Sequence, residues 1–212
     1  MQAKSFILAN TALVAPPLVP EVELHLATEV VPLWRKTEEQ LEAEGVPPPY
    51  WAFAWAGGQA LARYVLDHHE SVRAKAVLDF GSGSGLVAIA AMKAGAASVL
   101  AADIDAFAAT AIMLNAEANR ISVEVTSEDV IGTAGEWQTI LVGDMCYERP
   151  LAERLLAWLQ ERAARGALVL LGDPGRTYFP KSGTEKLATY RVHTTRELED
   201  REIRETSVYK LG

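Results

Sequence analysis

The chain has 212 residues, 50% hydrophobic and 23% charged, enough to bury a full core and within the span of one domain. Its 20 basic and 28 acidic side chains leave a formal charge of −8, a surface that repels nucleic acid and makes RNA or DNA an unfavourable partner. The single cysteine, Cys146, excludes an intramolecular disulfide and a cysteine-rich zinc framework, and no stretch of ~20 apolar residues is present to span a bilayer.

Residues Met1 to Leu13 are mildly apolar with Lys4 as their only basic side chain, and no other follows until Arg35. That pattern lacks the segments of a signal or transit peptide, so a cytoplasmic chain is expected. Pro16, Pro17 and Pro20 punctuate the next stretch, and Glu21 to Ala27 alternates charged and apolar residues as an edge strand does. Pro32 to Glu44 is acidic and helix-prone, closed by Gly45 and the run Pro47 to Pro49. Residues 1–50 thus read as an N-terminal extension of the same domain whose core is residues 51–212.

Trp51, Phe53 and Trp55 alternate and lead through Gly57 and Gly58 into a helix predicted from Gln59 to about Asp67. Aromatics so placed suit either a core or a wall over a bound ligand. From Val77 onward strands and helices alternate: strand Val77 to Phe80, helix to Ala94, strand Ser98 to Asp103, helix Phe107 to Asn119. Strands Val123 to Thr126 and Thr139 to Gly143, a helix Leu151 to Arg165 and a strand Ala167 to Gly172 continue the pattern. Such spacing implies right-handed βαβ crossovers and a mostly parallel sheet, with ligands at the carboxyl ends of the strands. Asp79, Asp103, Asp144 and Asp173 all fall at or just past strand ends. Tyr190 to Leu211 reads as two strands flanking the charged run Arg196 to Arg201, a terminal antiparallel hairpin. His25, His68, His69 and His193 have no ligand spacing, so no metal is expected.

The most informative segment is Val77 to Gly85, a buried strand, a turn with Gly81, Gly83 and Gly85, and a helix start. Glycines there permit positive φ and close backbone approach, and unpaired helix N–H groups favour an anionic group, so the turn reads as a nucleotide-type site. A dinucleotide fingerprint spaces its glycines G-x-G-x-x-G. Here the spacing is G-x-G-x-G, preceded by Asp79. This resembles motif I of class I S-adenosylmethionine-dependent methyltransferases, which implies S-adenosyl-L-methionine as cofactor and Asp103 as the acid that binds its ribose hydroxyls. A carboxylate suits that task, because two adjacent hydroxyl donors can share its oxygens.

Gly143-Asp144-Met145-Cys146-Tyr147 follows the fourth core strand. Its D-x-x-Y shape resembles the signature of the seven-strand lysine methyltransferases grouped as family 16. The resemblance implies that Asp144 accepts hydrogen bonds from a substrate amine and that Tyr147 walls its channel. A lysine amine must lose its proton to attack and must align with the bond it breaks, which a placed acceptor assists. A carboxylate at this position also suits a turn or N-cap before the helix at Leu151. Cys146 has no activating base nearby in sequence and reads as a small buried thiol.

Gly172-Asp173-Pro174-Gly175-Arg176 forms a third strand-end turn. Together with Pro49-Tyr50-Trp51-Ala52, Trp55 to Tyr64, Asp79 to Gly85, Ala102 to Asp105 and the run ending at Asn119-Arg120, it resembles the electron transfer flavoprotein β-subunit lysine methyltransferases. That likeness spans about Glu21 to the C-terminus. It implies a class I methyltransferase Rossmann-like α/β fold, a mostly parallel seven-stranded sheet with the antiparallel hairpin at one edge, and protein lysine N-methylation, up to trimethyllysine, of an electron transfer flavoprotein β subunit. It also implies cofactor contacts at Trp55, Asp79, Gly81, Gly83, Gly85, Asp103 and Asp129, with Glu128 an equal candidate for the last, and substrate contacts at Asp144, Tyr147 and Arg176. Animal members carry a mitochondrial targeting segment, whereas this chain begins almost at the fold, so a bacterial cytoplasmic member is expected, acting as a monomer.

The same residues fit other functions as well. Asp103 and the glycine turn also resemble ribosomal protein L11 methyltransferases, which makes a ribosomal protein an alternative acceptor. A small-molecule N-methyltransferase of nicotinamide type would need a closing lid, which the extension could supply. A cofactor-binding regulator without catalysis is the third class. An amide-directed enzyme would carry a Pro-Pro pair after Asp144, and Met145-Cys146 does not supply it.

Overall fold

The computed structural model of the chain describes residues 3–27, 48–194 and 202–212. Helix α1 (Ala3–Asn10) is followed by β1 (Ala12–Val14) and β2 (Leu24–Leu26), which pair as a small antiparallel ribbon. The strand expected from Glu21 is shorter, because Pro16 and Val19 carbonyls accept the Val19 and Val22 N–H groups and hold the chain in turns up to that point. The helix expected from Pro32 to Glu44 and the charged run from Arg196 to Arg201 lie outside the described residues.

A 3-10 turn at Tyr50–Ala52 leads to α2 (Ala56–Asp67), after which β3 (Ala76–Phe80), α3 (Leu86–Lys93), β4 (Ser98–Ala102), α4 (Ala106–Ala118) and β5 (Glu124–Thr126) alternate. Then come β6 (Thr139–Gly143), α5 (Arg149–Ala164), β7 (Leu168–Asp173), β8 (Thr184–His193) and β9 (Ile203–Leu211). The seven-stranded sheet runs β5-β4-β3-β6-β7-β9-β8, parallel from β5 to β7 and closed by the antiparallel β8–β9 hairpin.

Parallel strands covered on both faces read as continuous apolar runs. Ile140 to Val142 of β6 and Val169 to Leu171 of β7 are at most 3% exposed. Helix α3 buries its first six residues, Leu86 to Ala91. The winding direction reverses between β3 and β6, so a crevice opens at the carboxyl ends of β3, β4 and β6.

The first strand of the terminal hairpin begins at Thr184, six residues before the expected Tyr190, and two helix boundaries move for local reasons. Helix α2 begins at Ala56 and takes Gly57 and Gly58 into its first turn, since Trp55 is extended and forms its N-cap. Helix α5 begins at Arg149, with Pro150 in the first turn, where its missing N–H costs nothing. Among the described residues no helix is long and apolar enough to cross a membrane.

Asn115 and Asn119 of α4 bind the ribbon to the core. Asn115 Oδ1 accepts the His25 N–H at 2.7 Å while its Nδ2 donates to the Ser84 carbonyl in the glycine turn at 2.8 Å. Asn119 exchanges two hydrogen bonds with the Glu23 backbone. The same helix packs on α1 through Phe6 and Phe107, whose rings meet edge to face at 5.5 Å.

Candidate active site

A cavity of about 540 Å³ fills the crevice, within the size range of small-molecule sites. Its floor is the turn after β3. Gly81 and Gly83 line it with φ of 65° and 54°, values that leave room for the backbone to face a ligand. Gly85, at φ 82° as the N-cap of α3, and Asp79 are not among the lining residues. A Cβ at Gly85 would press on Ile112 at 3.3 Å, so this glycine serves the packing of α3 against α4. Asp79 is 1% exposed beneath the turn, where it accepts hydrogen bonds from Ser82 Oγ at 2.5 Å and Ala88 N–H at 2.9 Å. Burial pushes its carboxyl up to about 7.

Asp103, just past β4, lines the cavity. Its Oδ2 accepts the Gly83 N–H at 2.8 Å and its Oδ1 the Asp105 N–H at 3.0 Å. Each oxygen keeps acceptor capacity for adjacent hydroxyl donors. Burial raises this carboxyl above the usual carboxylate range, against the two backbone donors. Beside it Ile104, Val130 and Ile131 present apolar surface, and Ile104 is 78% exposed. Glu128 and Asp129 both line the same end. Asp129 accepts the Ile131 N–H at 3.0 Å and pairs with Arg154. Slight burial raises its carboxyl, but that hydrogen bond and the guanidinium outweigh it and leave it lowered.

The other end of the cavity is built around Asp144. This residue has φ 60°, a left-handed conformation that Asp tolerates better than most side chains. Its N–H still donates to the Gly172 carbonyl at 2.9 Å, so β6 and β7 stay paired as the chain turns. The carboxylate lands on the N-terminus of α2, with Oδ2 accepting the Gly57 N–H. Oδ1 accepts from Arg176 Nε at 2.8 Å and Nη2 at 2.7 Å. Helix α2 comes this close because the contact is backbone on backbone. A Cβ at Gly172 would collide with the Gly57 carbonyl, and one at Gly143 would lie 3.0 Å from Gly58 Cα.

Arg176 is aimed by the preceding turn, where Asp173 Oδ1 accepts the Gly175 N–H at 2.6 Å and the Arg176 N–H at 2.7 Å. Asp173 is buried, and desolvation raises its carboxyl. Tyr147 lines the mouth at 45% exposure, its phenol raised first by burial. Trp55 lines it too, its indole N–H donating to the Tyr50 carbonyl at 2.9 Å. Cys146 is buried and its thiol is pushed up to about 12 by desolvation and by Asp173 and Asp144, so it is no nucleophile. Among the described residues no cluster of metal-ligating side chains is present.

The structure thus brings Trp55, Gly81, Gly83, Asp103, Asp129, Asp144, Tyr147 and Arg176 to one cavity, with Asp79 and Gly85 in support behind it. Sequence reasoning missed Tyr50, Met145 and Arg154 as lining residues, and Gly57 as a donor to Asp144. The Gly57-Gly58 doublet was the available signal, since two glycines opening a helix imply close backbone approach. Met145 covers Gly81, where any Cβ would strike its sulfur.

The family profile of ribosomal protein L11 methyltransferases (PrmA) matches residues 59–143. The electron transfer flavoprotein beta subunit lysine methyltransferase of Xenopus laevis is 40% identical over 98% of this chain and 86% of its own length. The protein of that name from Danio rerio is 43% identical over 83% of this chain and 69% of its own. A ribosomal protein L11 methyltransferase from Exiguobacterium is 28% identical over 84% of this chain and 58% of its own. Among solved structures, magnesium protoporphyrin IX methyltransferase from Synechocystis with bound S-adenosylmethionine superposes at TM-score 0.54 and 15% identity, covering 73% of this chain and 78% of that one. The fold is therefore that of class I methyltransferases.

Proposed function

The chain belongs to the electron transfer flavoprotein β-subunit lysine methyltransferase family, and from that premise we propose that it methylates lysine side chains of an electron transfer flavoprotein β subunit, up to the trimethyl state. The observation that carries the reading is a single cavity with Asp103 and the glycine turn at one end and the Asp144 carboxylate at the other. The first end fits S-adenosyl-L-methionine. Gly81 and Gly83 bring bare backbone to it, Asp103 offers acceptors to a ribose diol, and Ile104, Val130 and Ile131 suit a purine face, with Glu128 or Asp129 at its edge. Trp55, the N-cap of α2, lines the cavity between this end and Asp144. Bound there, S-adenosylmethionine supplies an electrophilic methyl group.

Asp144 does the orienting. Held by the Gly57 N–H on one oxygen and Arg176 on the other, the carboxylate is fixed in orientation and would accept from a substrate amine. A neutral amine fixed in this way can turn its lone pair toward the methyl donor in the same cavity, which Tyr147 also lines. The acidic surface suits a lysine-bearing, locally basic loop of a protein partner. The enzyme acts on protein, without nucleic acid, as a monomer.

The test uses methyl-labelled S-adenosylmethionine and a lysate lacking this enzyme. Label is expected in a protein band of electron transfer flavoprotein β-subunit size, with mass spectrometry giving the lysine and its methylation state. Label confined to small acid-soluble molecules would sink the protein-substrate reading. A ribosomal protein is the second reading, favoured by the profile match over residues 59–143, and label in a ribosomal band would select it.

A further inference from the structure

Tyr50 plays no part in the chemistry above, yet its ring lines the same cavity. Its neighbour Trp51 is 1% exposed and stacks on Phe107, centroids 6.4 Å apart and planes at 13°. With Trp51 turned inward, the 3-10 turn directs Tyr50 outward, at 48% exposure. The Tyr50 carbonyl anchors the Trp55 indole, and the Tyr50 ring centroid is 6.0 Å from Trp55 and 6.0 Å from Tyr147. Three rings therefore border the end of the cavity that holds Asp144. The Arg176 guanidinium carbon, paired with Asp144, lies 5.9 Å from the Trp55 ring centroid, a cation–aromatic contact at this end of the cavity.

A lysine amine that gains methyl groups loses N–H donors while its protonated form keeps its charge, now spread over apolar methyls. Hydrogen bonding to Asp144 weakens with each addition, and aromatic faces become the better partners, as in sites that recognise quaternary ammonium. We propose that Tyr50, with Trp55 and Tyr147, forms an aromatic cage that retains the methylated lysine ammonium between transfers. Each further transfer forms one N–C bond and breaks one S–C bond of the donor, after the amine has released a proton to solvent. The cage deepens the lysine-methyltransferase reading and rests on it for its ligand.

The test compares the wild type, Tyr50→Phe and Tyr50→Ala, with folding checked by melting temperature. Binding of a blocked trimethyllysine amide and of its neutral isostere, with a tert-butyl group in place of trimethylammonium, is followed by Trp fluorescence. The cation is expected to bind more tightly than the isostere in the wild type and Tyr50→Phe, and roughly fivefold more weakly in Tyr50→Ala. In the transfer assay, the ratio of trimethyl to monomethyl product at equal total transfer should fall in Tyr50→Ala and be rescued in Tyr50→Phe. Cation and isostere binding alike, neither binding, or Tyr50→Ala matching the wild type in both readouts overturns the cage. A wild type that distinguishes cation from isostere but methylates no lysine leaves the cage standing and defeats the transferase reading instead.

Discussion

Gly57 donates its backbone N–H to the Asp144 carboxylate although the two residues are 87 positions apart in the chain. The contact requires glycine: a Cβ at this position would collide with the Gly172 carbonyl and with Asp144 Oδ2. Gly57→Ala is therefore expected to push α2 off the sheet, lowering Tm and reducing methyl transfer at least tenfold. At Gly58 a Cβ would meet nothing within 4 Å. Gly58→Ala should keep activity and gain about 0.5–1 kcal/mol of stability from the reduced freedom of the unfolded chain. Thermal melts and initial rates on the pair check this, and equal losses in both would rule out the contact as the cause.

Asp144→Asn preserves a side chain that tolerates φ 60° and keeps an acceptor for Gly57, but removes the charge opposite Arg176. Methyl transfer should fall by roughly 10²-fold, the scale for losing a group that positions the reacting atom, while S-adenosylmethionine binding persists. Calorimetry for the cofactor and a transfer assay on the same preparation separate the two. A variant with full activity would remove Asp144 from the chemistry.

Asp103→Ala takes acceptors from the Gly83 and Asp105 N–H groups and, in the proposed cofactor placement, from the ribose hydroxyls. Losing two charge-assisted hydrogen bonds to the cofactor, at about 1.5–3 kcal/mol each, predicts a fall of roughly 10²–10⁴-fold in its affinity, measured by titration with S-adenosylhomocysteine. Asp129→Ala should cost less, because that carboxylate is already engaged by Ile131 and Arg154 and has Glu128 beside it.

Asp79 has a pH signature. Burial lifts its folded carboxyl from 3.8 to about 7, so between those values the folded chain holds a proton the unfolded chain has released. Its contribution is greatest at low pH and declines as pH rises through that window, by at most about 1.4 kcal/mol per unit. Asp79→Asn can keep both hydrogen bonds on its one carbonyl oxygen, since Ser82 and Ala88 share Oδ2 in the wild type. Denaturant melts at pH 5 and 7.5 should show the wild type losing stability relative to this variant as pH rises; parallel curves would contradict a raised carboxyl.

The alternation of strands and helices, the terminal hairpin and the glycine turn were all legible in the sequence, because they follow from short-range rules: hydrophobic period, turn residues and positive φ. Asp103 was legible for the same reason, standing just past β4 at βαβ spacing from the turn. Helix α1 and strand β1 were not read, since eight and three residues of weak pattern gain their order by packing on α4 and pairing with β2.

By itself, then, the sequence determined the sheet, the winding and the acids at its strand ends. What those acids face was decided by tertiary structure alone. Asp79 turned inward to brace the glycine turn and Asp103 outward to the cavity, although both follow the same local pattern. Asp144 acquired Gly57 and Arg176, and Tyr50 came to stand beside Tyr147, only because α2 lies backbone to backbone on β6 and β7. Contacts across 32 to 97 positions depend on how closely whole elements pack, and no local period encodes that distance.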